Sequence, residues 1–188
     1  MDHEAIPLYV KPNSMQFLAY AAVCSAVTAV GFLLTAPIPL IPGAIHWRVL
    51  AFLPCIFGIL FGPIMGFVSG ALGNTLWALL GGYFNPATPI FDLIGVGLTG
   101  LLPGLFVKPE ECLTKKGLLK ASVISAISGF IMVPIVAIGF DLVGVAPFTP
   151  ACVFLVLSDL PPIVIGTPIV LAAVTPALLK RGLLKWRL

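Results

Sequence analysis

The chain has 188 residues, of which 60% are hydrophobic and only 9% are charged, and its formal net charge is +3. A soluble domain typically has about 25% charged residues, so this composition excludes a soluble single-core protein. Together with a mean hydropathy of +1.15, it predicts an integral membrane protein. The length allows roughly six helical crossings of about 20 residues each and leaves no room for a separate soluble domain.

Proline, glycine and charged residues divide the chain into six hydrophobic runs. They predict six transmembrane helices at residues 16–36, 46–61, 63–82, 89–107, 119–145 and 151–179. The first run is kept as a span because Asp2 and Glu4 precede it and no small-residue cleavage site ends it, unlike in a signal peptide. The predicted fold is therefore an all-α polytopic membrane protein, with one domain over residues 1–188.

The positions of the basic residues predict the orientation in the membrane. Nine of the ten lie at the N-terminus, between residues 108 and 120, or at the C-terminus, and the exception is Arg48. By the positive-inside rule, both termini and the 108–120 loop are cytoplasmic, and the three proline-rich loops face outward. Each basic group adjoins a hydrophobic run and lacks interleaved aromatic residues, so we expect no binding to nucleic acid.

Small residues indicate close helix packing in two places. Gly58, Gly62, Gly66 and Gly70 recur every four residues across the second and third helices, which predicts tight contact with a neighbouring helix. Ala22 and Ala26 form a similar pair on the first helix, where packing within the protein and docking of another protein are both possible.

Under this topology, the ionisable residues embedded in the spans lie in their outer halves, and the inner halves carry chiefly Ser, Thr and Cys as polar residues. An ionised side chain in hydrocarbon costs about 2.5 to 3.5 kcal/mol on insertion scales, so such residues usually face a cavity, a partner or the interface. We therefore predict a water-accessible substrate pocket open to the outside. Its candidate residues are His46, Arg48, Asn74, Trp77, Tyr83, Asn85, Asp92 and Asp159.

Other interpretations of these residues remain open. Residues near helix ends, including Arg48 and Asp92, also fit interfacial anchors, and we explain Asp141 in this way. Several carboxylates against one guanidinium favour a ligand that has N–H donors or a positive charge, and that has rings to stack on Trp77 or Tyr83. An unpaired Arg48 would instead allow a carboxylate or a phosphate on the ligand.

Enzyme and metal signatures are absent from the sequence. The glycine pattern at Gly95, Gly97 and Gly100 lies inside a hydrophobic run rather than after a strand, so helix packing explains it. Ser69 would need a base, and His46 lies at a different depth. The two histidines and four cysteines are dispersed, so no metal site and no disulfide framework is indicated.

Several features together resemble the substrate-binding membrane subunits, or S components, of energy-coupling factor (ECF) transporters. These features are six short spans, the Ala22–Ala26 pair, a proline-rich first outer loop, and the segment from Phe61-Gly62-Pro63 to Gly73-Asn74.

The resemblance implies a function and partners. An S component captures a vitamin or related micronutrient at the outer face of a prokaryotic plasma membrane. It then docks on a membrane scaffold subunit with two cytoplasmic ATPases, and topples to deliver the ligand. The chain itself would have no enzymatic activity and no cofactor, since ATP is used by the partners. Ala22 and Ala26 would be the docking residues, and the loop at 37–45 would be the gate.

Two alternatives to an S component are kept. The first is an intramembrane enzyme that uses Ser69 or Asp159, and the second is a self-sufficient small transporter or channel. The sequence does not identify the ligand.

Overall fold

The structure is a computed structural model that describes residues 15–35, 38–41 and 45–181. Five of the helices in these ranges are long and apolar enough to cross a membrane. The expected cytoplasmic termini lie outside the described residues. The six α-helices are α1 (Met15–Thr35), α2 (Leu53–Phe61), α3 (Pro63–Gly81), α4 (Pro89–Phe106), α5 (Lys115–Leu142) and α6 (Phe148–Lys180).

The predicted second span is wrong over its first part. Residues 46–52 are not helical, and α2 has nine residues, which is about 14 Å of helix against a hydrocarbon core of about 30 Å. The segment before it forms an antiparallel hairpin of β1 (Pro39–Ile41) and β2 (Ile45–His46). Pro54 lies in the first turn of α2, where a missing N–H is tolerated, so the helix starts there.

The other five helices match their predicted ranges to within four residues at each end. The largest difference is at α5, which begins at Lys115 rather than at residue 119. Thr114 caps this helix, because its Oγ1 accepts a hydrogen bond of 3.1 Å from the backbone N–H of Gly117. A 3-10 helix (Pro109–Leu113) connects α4 to this cap.

The glycine stripe packs α2 and α3 against α4, as the sequence predicts. Gly66 faces Gly100 so closely that a Cβ on either residue would overlap the backbone of the other. Gly58 makes the same kind of contact with Gly100 and Gly104. Gly62, between α2 and α3, has a φ of 106° that favours glycine. The backbones of these helices therefore approach as closely as in small-residue membrane motifs.

Replacing Gly100 by Ala is expected to destabilise the protein by about 1 to 3 kcal/mol, because the new methyl group has no space. Gly129→Ala is the matched control, since its Cβ would meet Ile163 at an ordinary 3.4 Å. Thermal unfolding in detergent measures both variants. Equal melting temperatures for the two variants would contradict the packing described here.

Serines of α5 hydrogen-bond backbone carbonyls that prolines leave without a partner. Pro103 in α4 and Pro168 in α6 have no N–H, which frees the carbonyls of Thr99 and Val164, four residues earlier. Ser122 Oγ donates to Val164 at 2.7 Å, and Ser128 Oγ lies 3.4 Å from the carbonyl oxygen of Thr99, although its shorter contact, of 2.7 Å, is to the carbonyl of Ser125. The serine hydroxyls thus offer these carbonyls a substitute for the helical hydrogen bonds that the prolines remove, inside a membrane where no bulk water is available.

The bundle has two chemically different ends. At one end, which we call the hairpin end, the β-hairpin meets the α3–α4 loop at residues 82–88 and the α5–α6 turn at 143–147. The opposite end, which we call the lysine end, carries the 3-10 helix, which packs on α5 and α6. Its exposed basic residues are Lys108, Lys115, Lys116, Lys120, Lys180 and Arg181.

Candidate functional site

Arg48 lies at the centre of a polar cluster beneath the hairpin. Its side chain is buried, and its Nη1 donates a hydrogen bond of 3.1 Å to Asn74 Oδ1 of α3. The same nitrogen is 3.8 Å from Asp159 Oδ2 of α6. The guanidinium carbon also lies 4.8 Å from the centre of the Trp77 ring, which is within the range of a cation–π contact. Arg48 therefore links the hairpin segment to both α3 and α6.

The ionic partner of Arg48 is Asp159. Among the described residues, Arg48 forms no ion pair with Asp92. Asp159 is 1% exposed, and Ser158 Oγ is 2.5 Å from its Oδ1. The structure thus places Asp159 behind Arg48 and outside the cavity lining. Asp159 is therefore placed to hold the Arg48 side chain in position.

Three aromatic rings pack against one another beside Arg48, in tilted and edge-to-face arrangements. The His46 ring lies 4.1 Å from that of Tyr83 and 5.7 Å from that of Trp77, measured between centroids. Tyr83 and Trp77 are 5.3 Å apart. Burial, and secondly the charge of Arg48, lower the pKa of His46, which lies in β2 outside the spanning helices. The imidazole is therefore neutral at neutral pH and packs as an aromatic ring.

A cavity of about 50 Å³ opens beside these rings at the hairpin end. Five of the predicted site residues line it, and Thr88, Ala78, Phe140 and Val145 complete its wall. The predicted residues among them are Arg48, Trp77, Tyr83, Asn85 and Asp92. Sites for small organic ligands typically have volumes of about 300 to 1,000 Å³, so this cavity is too small for such a ligand in the arrangement described.

Asp92 and Asn85 reach the cavity from the α3–α4 connection. Asp92 lies in the first turn of α4, and its Oδ2 accepts a hydrogen bond of 3.2 Å from Thr88 Oγ1. Asn85 Oδ1 accepts from the N–H of Ala87 at 3.0 Å, which stabilises the turn. The turn thus presents an amide and a carboxylate to the same small space.

Several polar side-chain atoms around the site have no hydrogen-bond partner among the described residues. These atoms are Arg48 Nε, Trp77 Nε1 and His46 Nδ1, and all three are buried. Buried polar groups are rarely left unpaired in proteins. Two of these side chains, Arg48 and Trp77, line the cavity, so the site has hydrogen-bonding capacity that the protein does not use itself.

Sequence reasoning missed Ser158, which connects the hairpin to α6. Its Oγ lies 2.8 Å from the carbonyl oxygen of His46, as well as next to Asp159. A serine adjacent to a carboxylate in a span was the available signal. The hydrophobic wall residues Phe140 and Val145 carried no signal, because they resemble any other apolar residue of their segments.

Two residues considered for other roles have local partners. Asp141 Oδ1 accepts a hydrogen bond of 3.1 Å from the backbone N–H of Phe148, at the start of α6. Ser69 is buried, and its hydroxyl donates to the carbonyl of Gly66 at 3.0 Å. Within the described ranges, no group of three or more potential metal ligands occurs.

Ala22 and Ala26 lie on the exposed face of α1. The buried face of this helix, which includes Ala21, Cys24 and Thr28, packs on α3. The two alanines are thus exposed at the protein surface.

Comparison with known proteins assigns the family. A family model described as the S component of ECF-type riboflavin transporters matches residues 12–180. The chain belongs to this family. As an S component, it captures a vitamin and takes part in its transport across the membrane, in association with an ECF module. The family is one of transporter subunits and not of enzymes.

The fold of this S component resembles that of a solved relative. The S component of a bacterial ECF transporter has 21% sequence identity to it and superimposes with a TM-score of 0.52. The match covers 91% of this chain and 98% of the other. No curated protein sequence matches the chain.

Proposed function

We propose that this S component binds riboflavin at the hairpin end. The support is the aromatic group of His46, Trp77 and Tyr83 beside polar residues that line one cavity. Riboflavin combines a flat tricyclic ring, which has an imide N–H and carbonyl groups, with a chain of hydroxyl groups. Aromatic side chains fit the ring, and Arg48, Asn85 and Asp92 supply donors and acceptors for its polar edge and hydroxyl groups.

Binding of a molecule of this size requires the site to open. The cavity of about 50 Å³ is far below the volume of a vitamin site, which is about 300 Å³ or more. The contact between His46 of the hairpin and Tyr83 of the 82–88 loop closes it. We propose that these two segments separate to admit the ligand. Part of the expected gate, residues 37 and 42–44, lies outside the described residues.

We also propose the orientation and the partners. The chain is a single six-helix unit of a prokaryotic plasma membrane, with both termini and the lysine end in the cytoplasm, because basic residues concentrate at that end. Its module consists of a membrane scaffold subunit and two ATPases that use ATP. The chain itself is not an enzyme and holds no cofactor. Ala22 and Ala26 contact the scaffold.

Riboflavin binding is tested by fluorescence titration of the purified chain in detergent, together with mass spectrometry of co-purified small molecules. We expect riboflavin in the preparation, and quenching of tryptophan fluorescence when it is added to the stripped protein. Trp77→Phe should remove most of the quenching, because Trp77 lines the cavity. Trp47→Phe is the control, since Trp47 is exposed and outside this cavity. Absence of both co-purified riboflavin and quenching would refute the proposal.

A further inference from the structure

Two buried donors beside the cavity have no hydrogen-bond partner among the described residues. They are Arg48 Nε and Trp77 Nε1. Both side chains line the cavity, and the guanidinium carbon lies 4.8 Å from the centre of the Trp77 ring. A guanidinium and an indole N–H donate hydrogen bonds but accept none. The two side chains therefore form a donor-only part of the cavity wall.

The protein uses a different atom of Arg48 for its own contacts. Asn74 Oδ1 lies 3.1 Å and Asp159 Oδ2 lies 3.8 Å from Nη1 of the guanidinium. These contacts hold the side chain in place and leave its Nε unpaired. A buried donor without a partner costs free energy and is rare in proteins. An acceptor atom of the ligand would remove this cost, so the site is completed by a ligand that has one.

The remaining polar residues of the wall have a different hydrogen-bonding character. Asn85, Thr88 and Asp92 come from the α3–α4 connection and the start of α4. Thr88 Oγ1 donates to Asp92 Oδ2 at 3.2 Å, and Asn85 Oδ1 accepts from a backbone N–H at 3.0 Å. As a group, they carry both donors and acceptors in either protonation state of Asp92. This side of the cavity suits hydroxyl groups, which also donate and accept.

We infer that Arg48 and Trp77 form a subsite for the carbonyl edge of the flavin ring, with the hydroxyl chain on the side of Asn85 and Asp92. This inference rests on the proposed binding of riboflavin. The ring carbonyl oxygens accept hydrogen bonds and donate none, which matches two donors that lack acceptors. The charge of Arg48 strengthens the contact, because a hydrogen bond from an ionised donor is stronger than one from a neutral donor. The subsite thus selects planar rings that carry carbonyl groups.

The test is infrared difference spectroscopy of riboflavin bound to the purified chain. It measures the stretching bands of the ring carbonyl groups, and isotope labelling at each carbonyl carbon assigns these bands. A hydrogen bond weakens the C=O bond and lowers its stretching frequency. The hydroxyl chain has no carbonyl group, so the bands report contacts of the ring edge alone.

Two variants remove one donor each. Trp77→Phe keeps an aromatic ring in the wall and removes the indole N–H. We expect at least one carbonyl band to move to a higher frequency, and riboflavin affinity, measured by flavin fluorescence, to fall roughly three- to tenfold. Arg48→Met combined with Asp159→Asn removes the guanidinium without leaving a buried charge unpaired. At saturating riboflavin, it should move a carbonyl band in the same direction.

Trp47→Phe is the matched control. It removes the same N–H group from a side chain that is 39% exposed and lies outside this cavity. We expect the bands and the affinity of the unmodified protein. A band shift equal to that of Trp77→Phe would contradict the assignment of the donor to Trp77.

The carbonyl bands separate this inference from the proposed function. If Trp77→Phe weakens binding and moves neither band, Trp77 acts through packing or contacts the hydroxyl chain, and the inference is overturned while the proposed function stands. Bands that move in Trp77→Phe but not in the double variant overturn the paired subsite. If riboflavin fails to bind the unmodified protein, the proposed function fails, and the inference fails with it.

Discussion

Replacing Ala22 by Trp is expected to reduce vitamin uptake to background while ligand binding remains unchanged. The reason is geometric, because Ala22 lies on the exposed face of α1, and a large side chain there would keep a partner helix at a distance. No residue of α1 lines the cavity at the hairpin end. The measurement is uptake of labelled vitamin by cells that also produce the ECF module, beside a titration of the purified chain.

The control for this prediction is Ile127→Trp. Ile127 is an exposed residue of α5, on a different helix of the bundle. A tryptophan there tests whether any bulky residue on the membrane-facing surface prevents transport, and we expect normal uptake. Normal uptake by Ala22→Trp would show that α1 docks elsewhere or not through these alanines.

Removing Arg48 is expected to have the largest effect on ligand binding. Arg48→Met leaves Asp159 buried without its ionic partner, and breaking a buried pair in this way costs about 3 to 5 kcal/mol of stability. It also removes a polar group from the cavity wall and a cation from the face of Trp77. We expect riboflavin affinity to fall by roughly a hundredfold or more, together with the melting temperature.

A double variant separates folding from binding. Arg48→Met combined with Asp159→Asn removes both charges, so it should recover much of the melting temperature that the single variant loses. Affinity for riboflavin should stay low, because the cavity still lacks the guanidinium. If the double variant binds riboflavin as tightly as the unmodified protein, Arg48 does not contact the ligand, and its role is confined to the fold.

Membrane helices were predictable because the bilayer imposes a simple rule on them. Runs of about 20 apolar residues appear directly in the sequence, and five of the six predicted spans correspond to helices of the structure. The second span is wrong over its first part because residues 49–52 continue the hydrophobic run of α2 but form turns, and residues 46–48 belong to the hairpin segment. Hydropathy reports the environment of a segment and not its backbone conformation.

Site residues were predictable where they carry a polar group inside a hydrophobic run. His46, Arg48 and Asn74 come together with Asp159, although they lie on three separate segments. The partner of Arg48 could not be chosen from the sequence, since the distance between two helices at a given depth depends on packing. The glycine stripe sets part of this packing, by bringing α3 and α4 into backbone contact.

The hydrogen-bonding position of Ser158 has a consequence for how quickly a ligand associates. Its Oγ lies 2.8 Å from the carbonyl of His46, and the His46 ring in turn contacts that of Tyr83. In the proposed opening, ligand capture competes with the closed arrangement, and only the opened fraction of molecules accepts ligand, which reduces the apparent affinity by that fraction. The observed association rate then reaches a plateau at high ligand concentration, because opening of the hairpin becomes the rate-limiting step.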